Sequence, residues 1–238
     1  MSTRPFLAFA CAHMTDERLY AHQIGTLSAT HDCKVFVFRE QASMQDMAEH
    51  LLANTPERFT LIGLSLGGYM AFEVIRRALH RLERLVLIDT TAVADHPARR
   101  DGRLRDIATV KQGGIDALIP ELPSRWLLPA HAEDSALVEL MGSMARSVGA
   151  RGQFNQQTAM LARPDSHQDL ERVEVPTLLI CGRQDPVTPV ADHEAMAACV
   201  SGSRLVVIED CGHLSTIEQP AAVTHALAGW LESTHISF

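Results

Sequence analysis

The chain has no surplus of basic residues, no paired cysteine motif and no long apolar run, and each absence removes a class of function. Its 238 residues carry 21 Lys and Arg against 29 Asp and Glu, a formal net charge of −8. Nucleic-acid phosphates need a basic face, which this balance does not supply. The one basic cluster, Arg99-Arg100-Asp101-Gly102-Arg103, is short and interrupted, and reads as a solvated helix face. Five cysteines (Cys11, Cys33, Cys181, Cys199, Cys211) are odd in number and scattered without a C-x-x-C, which argues against a zinc site or a disulfide framework. Reduced, mostly buried thiols fit a cytoplasmic protein. No apolar stretch approaches the ~20 residues needed to cross a bilayer. The run Phe6–Ala12 has the outline of a minimal signal peptide, ending in Ala10-Cys11-Ala12. Its removal would delete what reads as the first core strand, so it is assigned to the fold. No internal repeat, low-complexity tract, metal motif or nucleotide motif is present, and Ser233–Phe238 reads as a frayed tail.

Six short apolar runs are present instead: Phe6–Ala10, Lys34–Phe38, Phe59–Leu64, Leu85–Ile88, Thr177–Cys181 and Leu205–Ile208. Most are continuously apolar rather than alternating, the pattern of strands covered on both faces. Helical periodicity lies between most of them, at about 18–30, 43–54, 68–79 and 190–198, with a last helix over 221–231 that Pro220 opens. Strand alternating with helix predicts right-handed crossovers and a parallel α/β sheet. The alternation fails once. About ninety residues separate the fourth strand from the fifth, with helical patterns at 98–111, 132–148 and 151–162 and no convincing strand. Residues 95–172 are therefore expected to be a helical cap, with 1–94 and 173–238 forming the core.

The most specific local signal is Gly63-Leu64-Ser65-Leu66-Gly67, placed where an apolar strand ends and a helical pattern begins. A serine pinned between strand and helix must turn sharply, and small residues on either side let neighbouring backbone pass. Its hydroxyl is a weak nucleophile until a base takes its proton, and that base needs an orienting acid. Asp185, in Gly182-Arg183-Gln184-Asp185-Pro186, follows the fifth strand. His213, in Gly212-His213-Leu214, follows the sixth. Loops at the carboxyl ends of parallel strands share one edge, so Ser65, Asp185 and His213 converge there. Ser215 competes as nucleophile without elbow context. Asp89, after the fourth strand, and Asp210 compete as the acid.

The order Ser, Asp, His within G-x-S-x-G-G, G-x-x-D-x-x-x-P and G-H-x-x-x-x-E-x-P resembles the α/β-hydrolase superfamily. Outside the insertion the match runs from about Phe6 to Leu231. It looks closest to small bacterial serine esterases with a helical cap, a group that includes enol-lactone hydrolases and cofactor-free haloperoxidases. The resemblance implies an α/β-hydrolase fold of about six mainly parallel strands with helices on both faces. It implies Ser65 as nucleophile, His213 as base and Asp185 as acid, with no metal or cofactor. One oxyanion donor is then the backbone N–H of Leu66. The second should come from the loop after the first strand, where relatives carry His-Gly or Pro-Gly. This chain has Ala10-Cys11-Ala12-His13-Met14, which assigns the donor to His13, with Met14 as the one-residue-shifted option beside the substrate.

Met141, Met144 and Met160 recur on the insertion and are candidates for an apolar acyl pocket, with ordinary core packing as the alternative. Trp126 either anchors the cap over the substrate or packs under it. A serine at the elbow argues against a dehalogenase, which uses aspartate there. Ester, lactone and thioester share one tetrahedral intermediate and stay open, as do acyl transfer to an alcohol or peroxide and a non-catalytic binding protein. The expected partner is a small-molecule ester rather than nucleic acid or membrane, and a homodimer is left open.

Overall fold

The computed structural model describes residues 4–233, so the tail beyond Ser233 lies outside the described residues. Six strands form one parallel sheet: β1 (Phe6–Ala10), β2 (Asp32–Phe36), β3 (Phe59–Leu64), β4 (Leu82–Ile88), β5 (Thr177–Gly182) and β6 (Arg204–Ile208). Their order is β2-β1-β3-β4-β5-β6. β3 and β5 are buried along their whole length, as their unbroken apolar sequences require, while the outer strands β2 and β6 are only half-buried. β2 lies two residues before its expected place. Phe36 is its last paired residue, opposite Ala10, and Cys11 N–H caps it by donating to Phe36 O at 3.0 Å. Val37 and Phe38 extend the apolar run past the pairing because both pack into the cores. β4 starts three residues early, because charged Glu83 and Arg84 hide its beginning. Arg84 Nη1 turns out to donate to Leu231 O at 2.8 Å.

Helices cover both faces: α1 (Ala21–Leu27), α2 (Met44–Leu52), α3 (Leu66–Ala78), α4 (Pro97–Gly113), α5 (Leu122–Trp126), α6 (Ser135–Leu161), α7 (His167–Leu170), α8 (Val190–Cys199), α9 (Ser215–Glu218) and α10 (Pro220–Ser233). Ser43 caps α2, accepting Asp46 N–H at 3.0 Å. Pro220 opens α10 at a position where its missing N–H costs nothing. Strand residues alternate between two cores. Leu7 and Phe9 join the core closed by Val223, Leu227 and Trp230 of α10, while Ala8 and Ala10 join the one closed by α2 and α3. Each fully buried Leu or Phe contributes about 1.5–3 kcal/mol.

The stretch of about ninety residues between β4 and β5 holds helices joined by loops, with no strand among them. α6 is broken at Gly149 (φ 73°, ψ 173°), between the two helical patterns read from the sequence. The glycine is needed there because an L side chain disfavours that positive φ. Val110, Leu118, Leu122, Leu127, Met141 and Met144 from this stretch share a core with Leu64 and Ile88 of the sheet. No helix of the described residues is long and apolar enough to cross a membrane.

Candidate active site

Ser65 occupies the turn between β3 and α3 at φ 52°, ψ −108°. A non-glycine residue held there stores strain of order 1–3 kcal/mol. The surrounding glycines show what imposes it. A Cβ on Gly67 would lie 2.1 Å from Ala10 O, one on Gly63 would lie 2.5 Å from Gly67 backbone, and one on Gly68 would lie 2.4 Å from Thr90 Oγ1. Ser65 N–H donates to Ile88 O (3.0 Å), and Ser65 O accepts from Thr90 Oγ1 (2.9 Å) and Tyr69 N–H (3.0 Å). The hydroxyl is thus fixed at the carboxyl edge of the sheet, beside the switch in strand order between β1 and β3.

The loops after β5 and β6 bring Asp185 and His213 to it. His213 Nε2 is 3.0 Å from Ser65 Oγ, and Nδ1 is 2.8 Å from Asp185 Oδ2. Asp185 is an acceptor, so Nδ1 carries the proton and Nε2 presents its lone pair to the serine. Asp185 Oδ1 accepts the N–H groups of Val187 (2.7 Å) and Thr188 (3.0 Å), and Oδ2 also accepts Thr188 Oγ1 (2.7 Å). Burial alone would raise the Asp185 carboxyl. The His213 charge and these donors outweigh it and hold the carboxyl below its ordinary value. Burial likewise pulls His213 down, but the Asp185 carboxylate, with help from Asp89 and Glu218, leaves it above the ordinary imidazole value.

The two competing acids are placed elsewhere. Asp210 is exposed, in the turn after β6. Asp89 is fully buried, accepting Gly182 N–H and Ser215 N–H, both at 3.0 Å. It therefore ties the start of the Asp185 loop to the end of the His213 loop. Burial beside the Asp185 carboxylate pushes Asp89 up, to about 8. Ser215 is buried, with its N–H on Asp89. Glu218, the acid of the last motif, is a second tie. Its Oε1 accepts Leu214 N–H (3.0 Å), and its Oε2 accepts Gly212 N–H (3.1 Å), Leu128 N–H (2.8 Å) and His131 Nδ1 (2.9 Å). Burial raises the Cys11 and Cys211 thiols and pushes Cys181 up to about 12, so none is a ready nucleophile.

In the loop after β1, Met14 N–H is taken by Gln156 Oε1 (2.9 Å), whereas His13 N–H has no such bond. Leu66 N–H belongs to the first turn of α3, which has no intrahelical acceptor. Gln156 Nε2 donates to Phe38 O (2.7 Å), which fixes the amide so that Oε1 also accepts from His13 Nδ1 (2.8 Å). His13 is therefore a neutral imidazole with a bare Nε2. Burial and then the Arg103 charge lower it to about 3. No sequence signal marked Gln156 as its partner, 143 residues away. The buried spacing of Gln153, Gln156 and Gln157 along one face of α6 was the available clue.

A cavity of about 50 Å³ opens at Ser65 and His213, with His13, Tyr69, Arg103, Trp126, Met160, Val187 and Leu214 in its wall. Of the candidates on the insertion, Trp126 and Met160 line this cavity. Met14, Met141 and Met144 do not reach the cavity and are packed in the core with Leu19 and Leu118. Within the run Arg99–Arg103, Arg100 and Asp101 are exposed as a solvated face requires, but Arg99 and Arg103 turn inward, which corrects that reading for these two. Arg99 Nη2 donates to Val187 O (2.7 Å), and the Arg103 side chain is only 12% exposed, bonded to Asp95, Gln157 Oε1 (3.1 Å) and Met160 Sδ (3.0 Å). Among the described residues no group of His, Cys, Asp or Glu is arranged to hold a metal ion.

The profile of the Alpha/beta hydrolase family matches residues 19–226. 3-oxoadipate enol-lactonase 2 of Acinetobacter baylyi is 30% identical over 169 residues, which span 71% of this chain and 61% of that protein. 3-oxoadipate enol-lactonase 1 of the same organism is 26% identical over 243 residues, 96% of this chain and 89% of the lactonase. Among solved structures, a thermophilic esterase from Thermogutta terrifontis, malate bound, aligns with a TM-score of 0.86 at 29% identity over 99% of this chain and 92% of that one. A profile match over most of the length, the parallel six-strand sheet and a strained serine at the β3–α3 turn agree: the chain belongs to the alpha/beta hydrolase family.

Proposed function

We propose that the protein is a serine hydrolase that cleaves carboxylic esters or lactones through an acyl-enzyme. The observation that supports this most is the continuous relay from Ser65 Oγ to His213 Nε2 (3.0 Å) and from His213 Nδ1 to Asp185 (2.8 Å), with the serine held in the strained turn. In this reading His213 Nε2 takes the hydroxyl proton as Ser65 Oγ bonds to the carbonyl carbon, and the carbonyl π pair moves onto oxygen. The N–H groups of Leu66 and His13 stabilise that oxyanion, the role for which donors free of other acceptors are suited. Collapse breaks the bond to the leaving alkoxide, which takes the proton from His213. Water then repeats the cycle and releases the acid. Asp185 keeps the ring in the Nδ1–H tautomer and stabilises the imidazolium.

Residues 95–172 act in this reading as a cap that narrows the site, since Arg103, Trp126 and Met160 all come from it. The named activity of the two lactonase relatives and of the esterase favours ester and lactone bonds. A cytoplasmic setting with reduced thiols belongs to the same proposal. A fluorophosphonate should form an adduct at Ser65, and Ser65→Ala should lose both the adduct and the turnover of p-nitrophenyl acetate. An adduct elsewhere, with turnover retained in Ser65→Ala, would refute it.

A further inference from the structure

The charges clustered at Asp95, behind one wall of the cavity, do not balance. The Asp95 carboxylate, whose side chain is 2% exposed, is shared by two guanidiniums: Arg103 bonds both of its oxygens, and Arg163, its side chain 3% exposed, reaches Oδ1 at 2.8 Å. One carboxylate thus faces two permanent cations. The nearby Asp106 does not correct this, because it is paired with Arg125 Nη1 at 2.8 Å. Arg163 Cζ sits 4.0 Å over the Tyr69 ring and Arg163 Nε has no partner, so that cation is stationed behind the wall. Arg103 stands in the wall itself, the one permanent charge among Tyr69, Trp126, Met160, Val187 and Leu214. Of its five N–H groups, strong acceptors take three: two go to Asp95 and one to Gln157. A fourth meets only the Met160 thioether, a weak acceptor. Two N–H groups are therefore left without a strong acceptor, on a side chain that lines the same cavity as Ser65.

A cation that shares its only carboxylate with a second guanidinium is costly in an apolar wall, and an anion that accepts its spare hydrogen bonds lowers that cost. We propose that this cavity selects esters that carry a carboxylate, and that Arg103 binds that carboxylate; the proposal rests on Ser65 being the nucleophile. A role in holding Asp95 alone does not require Arg103, because Arg163 already pairs with it. Arg103 and Ser65 line one small cavity, so a short chain separates the carboxylate from the scissile carbonyl.

Paired substrates that differ by that charge test it. Monomethyl succinate, glutarate and adipate are compared with methyl butyrate, pentanoate and hexanoate for a carboxylate on the acyl side. For the alcohol side, 4-acetoxybutanoate is compared with butyl acetate. In at least one pair, wild-type kcat/KM should favour the charged ester by roughly ten- to a hundredfold, the scale of a charge-assisted hydrogen bond. The responding arm identifies the side. Arg103→Gln should collapse that ratio, mainly through KM, and Arg103→Lys should keep part of it. Turnover without charge preference in every pair, or an unchanged ratio in Arg103→Gln, overturns the proposal. If Arg103→Gln does not fold, the wild-type ratio and Arg103→Lys decide. A fluorophosphonate adduct at Ser65 without turnover of any of these esters also defeats it alone. No adduct and no turnover defeats the nucleophile reading, and this inference with it.

Discussion

Replacing Glu218 with Gln removes one oxygen acceptor while leaving the side chain's shape. Its carboxylate is fully buried and accepts four donors, three of them on Oε2. The best amide orientation keeps oxygen at the Oε2 position and turns the NH₂ toward Leu214 N–H, so a bond to a charged acceptor becomes a donor facing a donor. A hydrogen bond to a charged group is worth about 1.5–3 kcal/mol, and a buried donor left bare adds to the loss. A destabilisation of about 3 kcal/mol follows, or roughly 6–12 °C in Tm at 2–4 °C per kcal/mol for a chain of this size. Gly212 and Leu214 flank His213, so the imidazole should shift as well. Misplacement by about 1 Å costs up to roughly a hundredfold in rate. The assays are a thermal melt by circular dichroism and steady-state hydrolysis of p-nitrophenyl acetate, with kcat falling more than KM. A Glu218→Gln protein that melts within about 1 °C of wild type with unchanged kcat would refute the idea that this carboxylate holds the base.

Three further outcomes are expected. Asp185→Asn should lower kcat by several orders of magnitude, on the scale of the roughly 10⁴ loss in the serine-protease example, whereas Asp89→Asn should stay within about tenfold. The reverse order would move the acid to the end of β4. Activity should rise with pH through a midpoint above the ordinary histidine value of about 6.5, because the base must be neutral and its partners hold it above that value. Stability runs the other way: the His213 contribution is complete below about pH 6.5 and is lost as pH rises through the folded value. A pH–rate midpoint below 6, or a stability change of opposite sign, would contradict the arrangement. Gly67→Ala should destabilise by roughly 3 kcal/mol or more, since backbone rather than a yielding side chain meets the new Cβ; a soluble variant with a wild-type urea midpoint would show that the turn is looser than described.

The strands and the Ser65, Asp185 and His213 loops were legible because each is encoded over a few adjacent residues. An unbroken apolar run marks β3 and β5, and a glycine pair marks the elbow. Boundaries are hidden where apolar character and pairing part company: half-buried Val37 and buried Phe38 continue the apolar run past the end of β2, and in β4 charged Arg84 is paired with Thr60 while charged Glu83 sits in the bulge just before it. The supporting shell was missed because its partners are distant in the chain. Gln156 reaches back to His13 and Phe38, and Glu218 reaches Leu128 and His131. Arg103 was misread because a charge run looks like surface until its acid is located; Asp95, just ahead of α4, was the local sign that one guanidinium is held. The methionines divide for the opposite reason: a flexible apolar residue suits a pocket and a core equally well, so Met160 reaches the cavity while Met14, Met141 and Met144 fill the core.

The segment from Trp126 to His131 is built into the loop that carries His213. Trp126 O accepts His213 N–H at 2.7 Å, Glu218 binds Leu128 and His131, and a Cβ on Gly212 would strike Leu128 N at 2.6 Å. A chimera that replaces 95–172 wholesale therefore severs the seat of the imidazole along with the wall of the cavity. Exchange limited to α4 and the second half of α6 leaves that seat whole. The seam for such an exchange therefore lies inside the insertion, with 126–131 kept with the sheet, while Gln156 on α6 and Arg103 on α4 have to be carried over for the His13 loop and the cavity wall to survive.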